Sequence, residues 1–134
     1  MSESQRASRC RQQIRDCLAE LQRLAGMAQG RAPLVRGSLY AYRRRCGKSG
    51  CRCSRGELHV GHAFSVREAG RSRVVSTVEL DRTALTEAVH GHRELRRARA
   101  EMVRTFGEML RQVDLMERLR SVDVKSLKRA ERGS

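Results

Sequence analysis

Five soft or borderline metal ligands crowd into 17 residues of this chain: Cys46, Cys51, Cys53, His59 and His62. The pattern reads C-x4-C-x-C-x5-H-x2-H. Three thiolates and one imidazole in a tetrahedral array form a closed zinc site. Cys51 and Cys53 stand two apart, so in extended backbone both sulfurs point to one side and reach the same ion. The segment between the ligands is rich in glycine, which suits tight turning around a metal. Arg43, Arg44, Arg45, Lys48, Arg52 and Arg55 flank the cysteines. Such cations lower thiol pKa values and offset thiolate charge. The expected ligands of one Zn2+ are therefore Cys46, Cys51, Cys53 and His59. His62 is the competing fourth ligand, but it falls where the next strand is due to begin.

Other chemistries fit the pattern less well. A redox pair usually shows C-x-x-C, which is absent here. A catalytic zinc keeps an open coordination position beside a general acid or base. Glu57 is the only carboxylate near the cysteines, and four protein ligands close the site. The chain shows no paired carboxylates, no nucleophile with an adjacent base and no phosphate loop, so the expectation is a protein that is not an enzyme. Cys10 and Cys17 lie seven apart and read as small core hydrophobes rather than a second metal pair.

The elements that must position this cluster are legible in periodicity. Residues 4–28 read as a helix whose Cys10, Ile14, Cys17, Leu21, Leu24 and Ala28 recur at steps of four and three, a coiled-coil seam. Gly30 and Pro33 end it. Strands are expected at 37–44, 62–68 and 72–79, with the last two joined by a turn at Ala69-Gly70-Arg71. A helix over 81–120 follows, capped by Asp81 or Thr83. Leu95, Met102, Phe106, Met109, Val113 and Met116 continue the heptad pattern along it. A short basic helical piece is expected at 123–131. The fold class is α+β: an N-terminal amphipathic helix (1–30), a zinc-stapled three-stranded antiparallel sheet (34–80), a long C-terminal helix with coiled-coil character (81–121) and a basic tail (122–134). The interaction seam is expected at Ile14, Leu21, Leu24, Met102, Phe106, Met109 and Val113, buried between the two helices or against another chain.

Charge points to the partner. The 134 residues carry 29 basic and 15 acidic side chains, a net charge of +14. Nearly all the cations are arginine, whose planar fork donates two parallel hydrogen bonds to phosphate. Duplex DNA is favoured over RNA because aromatics make up only 3% of the chain, and single-strand or RNA recognition leans on stacking rings. The phosphate-contacting set is expected to be Arg43, Arg44, Arg45, Lys48, Arg52 and Arg55, with Arg71 and Arg73 on the hairpin. A second basic group, Arg93, Arg96, Arg97, Arg99 and Arg104, lies on the long helix, where Glu94 and Glu101 are expected to neutralise part of it. No apolar run is long enough for a membrane span. The N-terminus lacks the apolar block of a secretory signal. The simplest expectation is a cytoplasmic, nucleoid-associated protein.

The run LVRGSLYAYRRRCGKSGCRCSRGELHVG, residues 34–61, resembles a family of short bacterial proteins. Their shared core is G-S-L…Y-R-x-C-G-K-x-x-C-x-C-x-x-G-x-x-H, followed by a hairpin and a long helix. The resemblance covers about residues 34–104 and matches Cys46, Cys51, Cys53 and His59 one by one. The family usually continues H-G-P-Y, where this chain has Val60, Gly61, His62 and Ala63. The resemblance implies an accessory product of mobile elements, acting in DNA recombination or transposition beside a recombinase or transposase subunit. The alternative is a coiled-coil adaptor of a larger nucleoprotein complex, without direct DNA contact, or self-association through the helices.

Overall fold

The computed structural model describes residues 1–129. The architecture is α+β. Helix α1 (Glu3–Ala28) is followed by β1 (Ser38–Arg44), a 3-10 turn (Arg52–Arg55), β2 (His59–Glu68), β3 (Arg71–Ser76), helix α2 (Arg82–Arg120) and a second 3-10 turn (Val124–Ser126). The three strands form one antiparallel sheet in the order β1-β2-β3. Among the described residues no helix is long and apolar enough to cross a membrane. The chain groups into two compact units, residues 1–29 with residues from 98 onward, and residues 30–97.

In the first unit, α1 opens on a capping box. Ser2 Oγ accepts from the Gln5 backbone N–H at 3.1 Å, and Gln5 Oε1 accepts from the Ser2 N–H at 2.9 Å. Two donors that a helix start leaves without partners are thereby satisfied. Cys10, Leu24, Ala98 and Met116 are buried, and Ile14, Leu21, Met102 and Met109 are half-buried. Arg23 reaches Glu101 on α2 at 3.6 Å, a partly exposed pair of small energetic weight. Two of the residues expected in the seam, Phe106 and Val113, are exposed in the single chain. One helix covers one stripe of its neighbour, and the buried stripe runs through Ala98, Met102, Met109 and Met116.

In the second unit, β1 pairs with β2 from Ser38↔Ser65 to Arg44↔His59, and β2 pairs with β3 from Ala63↔Ser76 to Glu68↔Arg71. The ladder to β1 starts β2 at His59, ahead of the expected 62. The hairpin turn is the pair Ala69-Gly70, with φ of 50° and 78°, a conformation whose twist matches that of the flanking strands. Ala63 and Phe64 are buried, as are Ala88 and Val89 early in α2. Buried Thr77 donates its hydroxyl to the His62 carbonyl at 3.2 Å, which removes the cost of an unpaired polar group. The Val35 N–H donates to the Ala88 carbonyl at 3.1 Å and ties the approach to β1 onto α2. Asp81, rather than Thr83, caps α2: its carboxylate accepts from the Ala84 N–H at 3.1 Å. In the tail, only Val124–Ser126 form a turn of 3-10 helix. Of the helical piece expected at 123–131, residues 130 and 131 lie outside the described residues.

Candidate metal centre

The Arg44↔His59 pair ends the β1–β2 ladder. Cys46 lies two residues past the end of β1 and His59 begins β2, so sheet pairing brings these two side chains near each other. The intervening loop folds back through local hydrogen bonds. The Cys51 N–H donates to the Lys48 carbonyl at 3.2 Å, and the Ser54 N–H donates to the Cys51 carbonyl at 3.1 Å. The 3-10 turn then carries Cys53 inward until only 1% of it is exposed. Gly56 ends that turn in the left-handed region, at φ 101°, with its N–H directed to the Arg52 and Cys53 carbonyls. A residue with a Cβ adopts this conformation at a cost. Cys51 and Cys53 therefore do not converge as alternate residues of an extended strand. Cys53 lies within the turn and Cys51 at its cap.

The donor atoms of Cys46, Cys51, Cys53 and His59 all lie within 4.8 Å of one another. The Cys46 and Cys53 sulfurs are 3.5 Å apart, and Cys51 Sγ is 3.0 Å from His59 Nε2. Tetrahedral zinc with Zn–S bonds of about 2.3 Å holds its sulfurs roughly 3.8 Å apart, so the cluster is the size such an ion requires. All five cysteines of the chain are free thiols. His62 stands apart from the cluster, with Arg82 Nη1 2.8 Å from its Nδ1. Of the two histidines, sheet register brings the expected one, His59 at the end of the ladder, into the cluster.

The electrostatics separate the two neighbouring sulfurs. The Lys48 backbone N–H, together with the side chains of Cys53 and His59, holds the Cys46 thiol down to about 6, from an ordinary value of 9.0. Cys53 accepts from the Cys46 N–H at 3.4 Å, which on its own would lower its pKa. Burial and the neighbouring Cys46 and Cys51 sulfurs outweigh that bond and push Cys53 up. Two adjacent sulfurs that resist ionising together, with one held as thiolate, are what a divalent cation relieves: it deprotonates its thiol ligands outright. The backbone donors at 46 and 48 carried no sequence signal, because any residue type supplies an N–H.

Around the cluster, Arg43, Arg44, Arg45, Lys48, Arg52 and Arg55 are all exposed. Arg52 lies 3.8 Å from Glu57. Among the described residues the other five have no ion-pair partner within 4 Å. On the hairpin, Arg73 pairs with Glu68 at 3.1 Å, while Arg71 has no such partner among the described residues. On α2, Arg97 pairs with Glu94 at 2.8 Å, but Glu101 turns to Arg23 of α1 and not to the arginines of its own helix. Comparison with protein-family models, with curated proteins and with solved structures finds no match to this chain.

Proposed function

We propose that the Cys46, Cys51, Cys53 and His59 cluster holds one structural Zn2+, and that this centre fixes an arginine-rich surface for the phosphates of duplex DNA. Four protein donors complete a tetrahedron, so the ion supplies folding energy and keeps no open position for a substrate. The protein is then a non-catalytic accessory factor. The resemblance of residues 34–61 makes a recombinase or transposase subunit the partner of choice. The observation that carries the reading is the concentration of cations at the centre. Arg43, Arg44, Arg45, Lys48 and Arg55 stand exposed and without acidic partners among the described residues, on a loop whose backbone the metal would lock. Fixing like charges on one small surface raises the local potential above what net charge alone gives.

Duplex affinity measured against salt tests the DNA half of the proposal. Binding should fall as salt rises, with a logarithmic slope of about −0.9 per phosphate neutralised. Changing Arg43, Arg44 and Arg45 together to Ala should flatten that slope by roughly two to three units. Zinc content should stay the same. Equal slopes for the two proteins, or no binding at low salt, would favour the adaptor reading.

A further inference from the structure

One row of residues along α2 is apolar and exposed. Val103, Phe106, Leu110 and Val113 are 60%, 50%, 45% and 46% exposed. Their spacing is three, four and three, so at 3.6 residues per turn they form one stripe, about 15 Å long. Isolated apolar side chains on a surface are ordinary, but an aligned row with coiled-coil spacing marks a contact.

We propose that this stripe is the interface for a second copy of the same chain, paired antiparallel. Between residues 99 and 117 the sequence is self-complementary in that orientation, while one layer further out Arg96 falls against Arg120 of the second copy. Turning one helix end for end about the middle of the stripe sets Val103 against Val113 of the second copy, and Phe106 against Leu110 of the second copy. The next position outward on one side is Arg99 and on the other Glu117. The same rotation brings Arg99 against Glu117 of the second copy, and the exchange occurs twice. Neither residue has an ion-pair partner within 4 Å among the described residues. A two-fold interface requires this kind of match, in which residue i meets j and j meets i. A parallel pairing would set Arg99 against Arg99 and Glu117 against Glu117.

Gly107 supports the same geometry. It sits in the middle of a helix, where glycine is the poorest former after proline. A Cβ built there would meet only the Arg111 guanidinium, at 3.9 Å, so nothing within the chain requires the absence of a side chain. Gly107 is beside the midpoint of the stripe, where the two helix axes of an antiparallel pair would pass closest. A small residue at such a crossing lets the backbones approach. The proposal is independent of the metal and of DNA, because every residue it uses belongs to the helical unit.

Sedimentation of the full-length, zinc-loaded protein over a range of concentrations is the test. A reversible monomer–dimer equilibrium is expected. Phe106→Glu should raise the dissociation constant by more than about tenfold, as loss of a central aromatic anchor does. Helix content and zinc content should stay unchanged, since Phe106 is not part of the buried stripe. Orientation is read from charge exchange. Arg99→Glu alone should weaken the dimer by opposing two pairs of acids, and Arg99→Glu with Glu117→Arg should restore it. A wild-type protein that stays monomeric at every concentration, or a dimer indifferent to Phe106→Glu, would overturn the interface. Failure of the double exchange to restore what the single change lost would overturn the antiparallel register.

Discussion

Cys51 is the residue on which the metal proposal is most directly tested. It bridges the loop, with its sulfur 3.0 Å from His59 Nε2 and its carbonyl accepting from Ser54. Structural zinc in small modules contributes on the order of 10–16 kcal/mol of apparent binding energy. That is comparable with the whole net stability of a domain, about 5–15 kcal/mol. Cys51→Ser should therefore abolish stoichiometric zinc and unfold the sheet unit, measured by elemental analysis and thermal melting; unchanged zinc content would sink the ligand assignment. Acid should act in the same direction. The Cys46 pKa is depressed to about 6, so its contribution is present above the ordinary thiol range and is lost as pH falls through 6. Protons compete with the metal for the thiolates, so zinc release on acid titration, followed with a colorimetric chelator, should grow as pH falls; release that does not change with pH would contradict thiolate ligation.

At the scale of elements, the two units differ in what holds them. The helical unit rests on a narrow buried stripe, with Leu24 only 1% exposed. Leu24→Ala removes buried side-chain volume and should cost about 2–5 kcal/mol, the usual range for a core leucine. Leu24→Asp should cost more, because it buries a charge. Phe106→Asp, at an exposed position of α2, should leave the helical signal intact. The sheet unit depends on close approach between chain segments. A Cβ at Gly37 would lie 2.2 Å from the ring of buried Phe64, so Gly37→Ala must displace the core ring. It should lower the stability of this unit by roughly 1–3 kcal/mol, as overpacking does. A Gly37→Ala protein with the wild-type denaturation midpoint would contradict that packing.

For the whole molecule, the consequence is that stability is not one number. Residues 1–29 with those from 98 onward form one compact unit and residues 30–97 another, and only the second contains the metal donors. A strong chelator should remove the strand signal and the early turns of α2, while the helical content of the first unit persists. Circular dichroism with and without chelator reads this directly. A single cooperative loss of all structure on chelation would show that the helices need the metal as well. If the exposed cations at 43–55 bind duplex DNA as proposed, that binding should disappear with the strand signal, since they lose the framework that gathers them.

Much of this was legible in residue types and spacing alone. The C-x4-C-x-C-x5-H run specified a metal cluster because thiols and imidazole at close spacing have few other uses. Heptad spacing marked both helices, and the Ala69-Gly70 turn marked the hairpin, because these signals are local and carry their own geometry. What the sequence left open was settled by contacts between residues distant along the chain. Pairing of Arg44 with His59 brings His59, and not His62, beside the three cysteines. A 3-10 turn, not extended backbone, draws Cys53 in beside Cys46. The heptad pattern could not say which of two adjacent stripes on α2 would be covered, since both are apolar and both repeat at the same period. Only the packed structure shows that Met116 is buried and Met102 and Met109 half-buried while Phe106 and Val113 are exposed.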